Sequence, residues 1–391
     1  MTGPGATYDL LLKGGHVVDP HNNVDERRDV AITGDRISAV ERDIDPSLAG
    51  SVADVSGLHV TPGLIDIHSH HYGYSAWIFP DEYALPNGTT TVVDAGGSGW
   101  KNFDDFRRTI ISRARTRVLA LLNIVGGGML GTIEQDTSEM QPYPCAEKIA
   151  ENRDVLVGVK AAHHRGPGWD SVDGAVKAAE LSGTFAMIDY HNHPERQYRD
   201  LLLSHMRPGD IHTHMYGQHL PQLDDNKKVH DYIWEARQRG VLFDIGHGGG
   251  SFWFRVAVPC MEQGHTPETI STDAHKGSFF LPRATMPETM SKLMNMGMTL
   301  QDAVARASSV PAQRIGRPDL GTLTPGVEAD VAVFALESGD FGFIDSGFAR
   351  MAGDRRLSPR MTVRSGHVAW DLNGVSRPDW KTQGDYVRLE V

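Results

Sequence analysis

Only two of the 391 residues are cysteine, Cys145 and Cys260, far apart and in no CxxC spacing. That excludes a disulfide framework and fits a reducing compartment. No stretch reaches 18 consecutive apolar residues, so no membrane-spanning helix is expected. Met1-Thr2-Gly3-Pro4-Gly5 shows neither a basic n-region nor an apolar h-region, and a cytoplasmic location is expected. Basic residues are also short: 38 Lys and Arg against 50 Asp and Glu leave a net charge of −12. Such a chain is not attracted to nucleic acid or to an anionic membrane, which leaves a small-molecule partner. What remains, 40% hydrophobic and 23% charged, is an ordinary globular chain long enough for about two domains.

Histidine is the residue in surplus. The 19 histidines crowd at 68–71, 163–164, 191–193, 205–219, 247 and 275. The first crowd is the most informative. Leu64-Ile65-Asp66-Ile67 reads as a buried strand that stops abruptly in His68-Ser69-His70-His71, after the turn Val60-Thr61-Pro62-Gly63. His68 and His70 are two apart, so on an extended backbone they leave the same face, a spacing suited to a divalent metal such as zinc.

Around this strand the pattern changes twice. Residues 8–60 read as short strands with a hairpin signal at Thr33-Gly34-Asp35. From residue 61 strands alternate with helices: Thr89–Asp94, Arg117–Ile124, Val155–Lys160, Phe185–Asp189, Asp210–His214, Val241–His247 and Ile270–Asp273. With the first strand these make eight, the grammar of an α/β (β/α)8 TIM barrel. A doubly wound sheet is the alternative, but histidines stand where its Gly-rich phosphate turn would be. Met-rich helices follow at Met286–Met298 and Leu300–Ser309, their methionines read as core filler. Strands return at Asp330–Phe334 and Met361–Trp370. Residues 1–60 and 315–391 are therefore expected to pair into one small β-sandwich built from both chain ends, beside a catalytic barrel over 61–314.

A barrel carries its chemistry at the C-terminal ends of its strands. Strand four is apolar until Lys160, whose ammonium is costly there unless paired or chemically changed, for example by CO2 into an anionic metal ligand. The alternative is a lysine snorkelling out to a carboxylate. Strand five ends in Asp189, His191 and His193; strand six in a second His-x-His pair, His212 and His214, both expected to point the same way. Strand seven ends in Gly246-His247-Gly248-Gly249-Gly250, and strand eight in Asp273, which can hold a metal and take a proton from its bound water. For substrate contacts the sequence offers His163, His164 and Arg165 after the lysine strand, with Tyr72, Tyr74, Tyr216 and His275 after others. Phe252-Trp253-Phe254 reads as an aromatic wall or as packing anchors.

Taken together, these residues resemble the amidohydrolase superfamily in its deacetylase-like branch, related to dihydroorotases and D-aminoacylases. The marks are Val60 to His70, Val157-Gly158-Val159-Lys160, Arg207 to His214, Phe243 to Gly248, Ser271-Thr272-Asp273 and Gly321 to Val331. The resemblance implies two zinc ions per protomer, or manganese. His68, His70 and Asp273 would hold the first, carboxylated Lys160 would bridge, and His214 would complete the second with a strand-five ligand. Where the family has histidine on strand five this chain has Asp189, so Asp189 or His191 fills that place, or the second site is weak. The implied activity is hydrolysis of a C–N amide bond, N-acyl or cyclic, by metal-activated water. Asp273 would act as general acid and base, and His247 would help to stabilise the oxyanion. An esterase acting on acylated 2-hydroxy acids and a non-catalytic scaffold are the alternatives. A homo-oligomer is expected.

Overall fold

The computed structural model describes residues 6–385; the Met1–Gly5 stretch discussed above lies outside them. Seven parallel strands form one sheet in sequence order: Leu64–Ser69, Thr89–Gly99, Arg117–Asn123, Leu156–Ala161, Phe185–Ile188, Ile211–His212 and Leu242–Phe243. The expected eighth strand, Ile270–Asp273, is not a regular strand. Its segment still closes the ring through two parallel bridges, Asp244 with Thr269 and Ser69 with Ala274. The Gly248 amide donates to Thr272 O at 2.9 Å, and the Asp273 amide donates to His68 O at 2.6 Å. The result is a (β/α)8-type barrel.

Period-two alternation separates two layers. Ile65, Ile67, Val93, Leu119, Leu121, Met187 and Ile211 pack with Ala312, Ile315 and Leu320, the last three from the helix Ser309–Arg314 and the turn after it. Neighbours of opposite parity, such as Val92, Val118, Ala120 and Leu122, pack in a separate core with Val172, Ala175 and Ala179 of the helix Asp170–Ser182. The pairing register slips by one residue between Asp66 and Ser69. This bulge begins where the histidines begin: Asp66 faces the Tyr83 hydroxyl and Thr272, while His68 turns toward Lys160.

Strands six and seven are shorter than expected for a physical reason. His214 (φ 63°), Gly246 (φ 47°), Gly248 (φ 52°) and Asp273 (φ 46°) all adopt left-handed backbone, which ends regular pairing. His214 and Asp273 bear this without glycine's freedom, a strain characteristic of functional sites. The chain thus trades ladder hydrogen bonds for side-chain aim.

Beside the barrel lie a four-stranded sheet and a six-stranded sheet. In the second, Val331–Ile344 pairs antiparallel with His59–Pro62, so early and late segments of the chain share one ladder. Leu10, Val17, Val30 and Val60 bury against Val331, Val333, Met361 and Val363. Here the structure adds to the sequence reading. The strands Val331–Ile344 and Arg350–Arg364 form a long hairpin that extends well past the sandwich. It lies along the helix Met286–Asn295, where the Ser291 hydroxyl accepts from the Leu357 amide and Asn295 Oδ1 from the Asp354 amide. The methionines of that helix, Met286, Met290 and Met294, are buried as core.

Candidate metal centre

At the barrel mouth two groups of potential ligands meet. The inner group is His68, His70 and Asp273, whose ligand atoms lie within 4.8 Å of one another. Asp273 Oδ1 is 2.8 Å from His70 Nε2 and 3.7 Å from His68 Nε2. His68 Nδ1 donates to Thr213 Oγ1 at 2.9 Å, and Thr213 donates to Asp244 Oδ2 at 2.8 Å. Asp244 is fully buried and also accepts from Thr269 and Ser271. This chain of bonds fixes the His68 tautomer with the Nε2 lone pair facing Asp273, the usual way an outer carboxylate orients a metal-binding histidine. Gly248 leaves room for the Asp273 carboxylate: a Cβ there would lie 2.2 Å from Oδ2.

Lys160 is fully buried, with Nζ 3.3 Å from His68 Nε2. Gly96 makes room for its stem, since a Cβ there would lie 2.7 Å from both Lys160 Cβ and Cγ. It does not snorkel outward. Burial lowers its pKa, against the pull of Asp189, Asp273, Asp244 and Glu134.

The outer group is His163, Asp189 and His191. Asp189 Oδ2 is 3.5 Å from His214 Nε2 and 3.8 Å from His163 Nε2, and Oδ1 is 3.8 Å from His191 Nε2. His214 Nδ1 donates to Gly246 O at 2.7 Å, which leaves Nε2 for Asp189. Burial would push the His214 imidazolium down; Asp189 and Asp273 outweigh it and raise the pKa to about 9. His68 goes the other way, lowered to about 3 by burial and by Lys160. Burial works against the Asp273 carboxylate, yet His70, His68 and His214 hold it well below the usual carboxylate range. The neutral His68 imidazole beside the ionised Asp273 belongs to a set of nitrogen and carboxylate donors that fits a borderline divalent cation. The buried His191 Nε2, without a hydrogen-bond partner among the described residues, agrees with that.

Several residues singled out from the sequence go elsewhere. Tyr72 donates to Asp105 at 2.9 Å and stacks on Phe106, outside the mouth. Tyr216 is buried and donates to His265 O at 2.7 Å. Arg165 is exposed, its amide donating to Gln135 Oε1. His212 does not share a face with His214; it packs against Tyr198 and Phe243, because the left-handed turn at His214 breaks the alternation. His247 has no free ring nitrogen to offer an oxyanion. Nδ1 donates to Gly248 O at 2.9 Å and Nε2 accepts from Lys292 Nζ at 2.8 Å. Phe252 stacks on that ring at 4.5 Å and is buried with Phe254, so these aromatics are packing anchors. His275 stays at the rim, edge-on to Tyr74, whose ring lies 5.1 Å from that of His70.

Other residues carried no signal in the sequence. Glu134, from the loop after strand three, reaches His163 Nδ1 at 3.1 Å. A lone glutamate in a loop is indistinguishable from a solvated one until the loop is folded over. Asp244 and Lys292 were hidden likewise, as one acid in a motif and one lysine in a Met-rich helix.

An amidohydrolase family model matches residues 257–369. A deacetylase of Enterococcus faecalis is 30% identical over 370 residues, 92% of this chain and 99% of its own. The chain belongs to the amidohydrolase superfamily, among its deacetylase-like members. A deacetylase of Agrobacterium fabrum is 31% identical over 347 residues, 86% of this chain and 85% of its own. Among solved structures, an adenine deaminase superposes with a TM-score of 0.85 at 28% identity, covering 93% of this chain and all of its own. A dihydroorotase superposes with 0.81 at 30% identity, covering 92% and 98%. This amidohydrolase is thus a metal-dependent enzyme of C–N bond hydrolysis, and the scaffold alternative falls. No helix among the described residues is long and apolar enough to cross a membrane.

Proposed function

We propose that this enzyme hydrolyses an amide C–N bond of a small molecule, N-acyl or cyclic, with Asp273 as general acid and base. The observation that carries this is the position of Asp273. Its carboxylate is kept ionised among His70, His68 and His214 at the mouth of the barrel, in space that Gly248 leaves open. His68, His70 and Asp273 would hold a zinc or manganese ion, which when bound lowers the pKa of water toward ~7 and polarises a carbonyl. Asp273 would take a proton from the attacking water as its oxygen bonds to the carbonyl carbon, and would return it to the nitrogen as the C–N bond breaks, so one carboxylate serves both half-steps. Lys160, treated with CO2, would become a carbamate beside His68 and add a further anionic ligand. His275 and Tyr74 at the rim would orient substrate.

A second reading, an esterase deacylating 2-hydroxy acids, is favoured by the deacetylase relatives, since an acetyl group can leave from nitrogen or oxygen. Paired amide and ester substrates with the same acyl group separate the two. Faster kcat/KM on the amides supports the proposal; turnover of esters alone overturns it. Two buried free cysteines, their thiols pushed up to about 12 by burial, accord with the proposed cytoplasmic location. A homo-oligomer is proposed as well.

A further inference from the structure

We infer that His163, Asp189 and His191 form a second divalent-cation site, displaced outward from the first, with Glu134 orienting His163. The inference rests on the metal-dependent hydrolase reading and departs from the arrangement in which Lys160 and His214 complete the second site. Three observations carry it. The ligand atoms of the three residues already lie within 4.8 Å of one another, with both carboxylate oxygens in use: Oδ2 faces His163 Nε2 and Oδ1 faces His191 Nε2, each at 3.8 Å. Ligands around a tetrahedral zinc, with bonds of ~2.0–2.1 Å, stand roughly 3.3 Å apart, so the two Asp189 contacts close by about 0.5 Å and the remaining pair by at most about 1.5 Å as the site fills. The rear of His163 is held as a metal-binding imidazole usually is, Nδ1 against the Glu134 carboxylate at 3.1 Å. His191 Nε2 faces the same carboxylate, buried and without a hydrogen-bond partner among the described residues.

The sequence supplies the reason for the displacement. A histidine on strand five would carry its ring nitrogen well into the barrel mouth. The shorter Asp189 keeps its oxygens near the strand end, where the loops after strands four and five bring His163 and His191 to it. The loop after strand three then contributes Glu134, and Gln135 latches it by donating to His163 O at 2.8 Å. The outer site is also the more accessible one: the His163 and His191 side chains are 30% and 28% exposed, against 1% for His68.

The test is metal stoichiometry, read by plasma mass spectrometry after dialysis of the full-length protein against zinc with bicarbonate, with cobalt(II) absorption as a second readout. Wild type is expected to hold about two equivalents and the double variant His163→Asn/His191→Asn about one, with an unchanged melting transition. Glu134→Gln should keep both sites but weaken the second by ~10–100-fold. Lys160→Met should retain an equivalent that the further addition of His163→Asn/His191→Asn removes. Two equivalents in the double variant, or loss of the second only with Lys160→Met, overturns the outer site and leaves the hydrolase reading intact. A single equivalent in saturated wild type overturns it as well. No bound metal at all, with no turnover of amide or ester, overturns both.

Discussion

Two lysines are fully buried in this molecule, and they are buried differently. Lys292 Nζ donates to His247 Nε2 at 2.8 Å, to Ile344 O at 2.8 Å and to Pro282 O at 3.2 Å. All three of its donors are used, mostly on neutral backbone, and the side chain ties a barrel loop, a helix and the long hairpin together. Lys160 has a single partner within hydrogen-bond distance among the described residues, His68 Nε2, in a mouth crowded with carboxylates. An ammonium has three donors to satisfy, so Lys292 is complete and Lys160 is not. On the proposed reading, the difference separates a lysine that holds structure from one placed for chemistry.

The sharpest test is all-or-none. With ¹³C-labelled bicarbonate, wild type and Lys292→Met should both show a carbamate carbon resonance, and Lys160→Met should show none. A resonance that persists in Lys160→Met would erase the distinction.

Next in size is Asp273→Asn, which takes one carboxylate from beside Lys160 and should lower kcat/KM by ~10²–10⁴-fold while largely sparing the melting temperature. Near-normal turnover would remove Asp273 from proton transfer. Asp244→Asn alters the anion behind His68 and should weaken the first metal equivalent by ~10–100-fold, measured by competition with a chelator. An unchanged affinity would mean that the Thr213 relay alone orients the ring.

The smallest effect belongs to Lys292→Met, which leaves two carbonyls without a donor and should cost about 1–3 kcal/mol in chemical denaturation. Its pH dependence has a definite sign. Burial lowers the Lys292 pKa from 10.5 to about 7, so between these values the unfolded chain binds the extra proton. Wild type should therefore gain stability over the variant as pH rises from 7 toward 10.5, by at most ~1.4 kcal/mol per pH unit, and lose that gain as pH falls back to 7. A stability difference that stays flat over this range would show that Lys292 remains charged in the fold.

The same contrast divides what could be read from the chain. The alternation of Ile65 and Ile67 and the run into His68 and His70 follow from local rules, because side-chain direction on a strand is set by parity. So does the strand grammar that announces a barrel, and so do Lys160 and Asp273 at strand ends, where polar groups have no other reason to stand. What parity could not decide is where the backbone abandons it. Left-handed turns at His214 and Asp273 and the bulge after Asp66 re-aim side chains, so His212 turns away from His214. Glu134 meets His163 only because two loops fold over one another. Lys292 meets His247 only because a helix and a hairpin from far along the chain close around it. The sequence by itself determined the barrel, the composite sheet and the ligand types at the strand ends, since these depend on neighbours along the chain. Which nitrogen faces which oxygen, and which buried lysine is complete, only the tertiary structure decided, since those contacts join residues that no local pattern links.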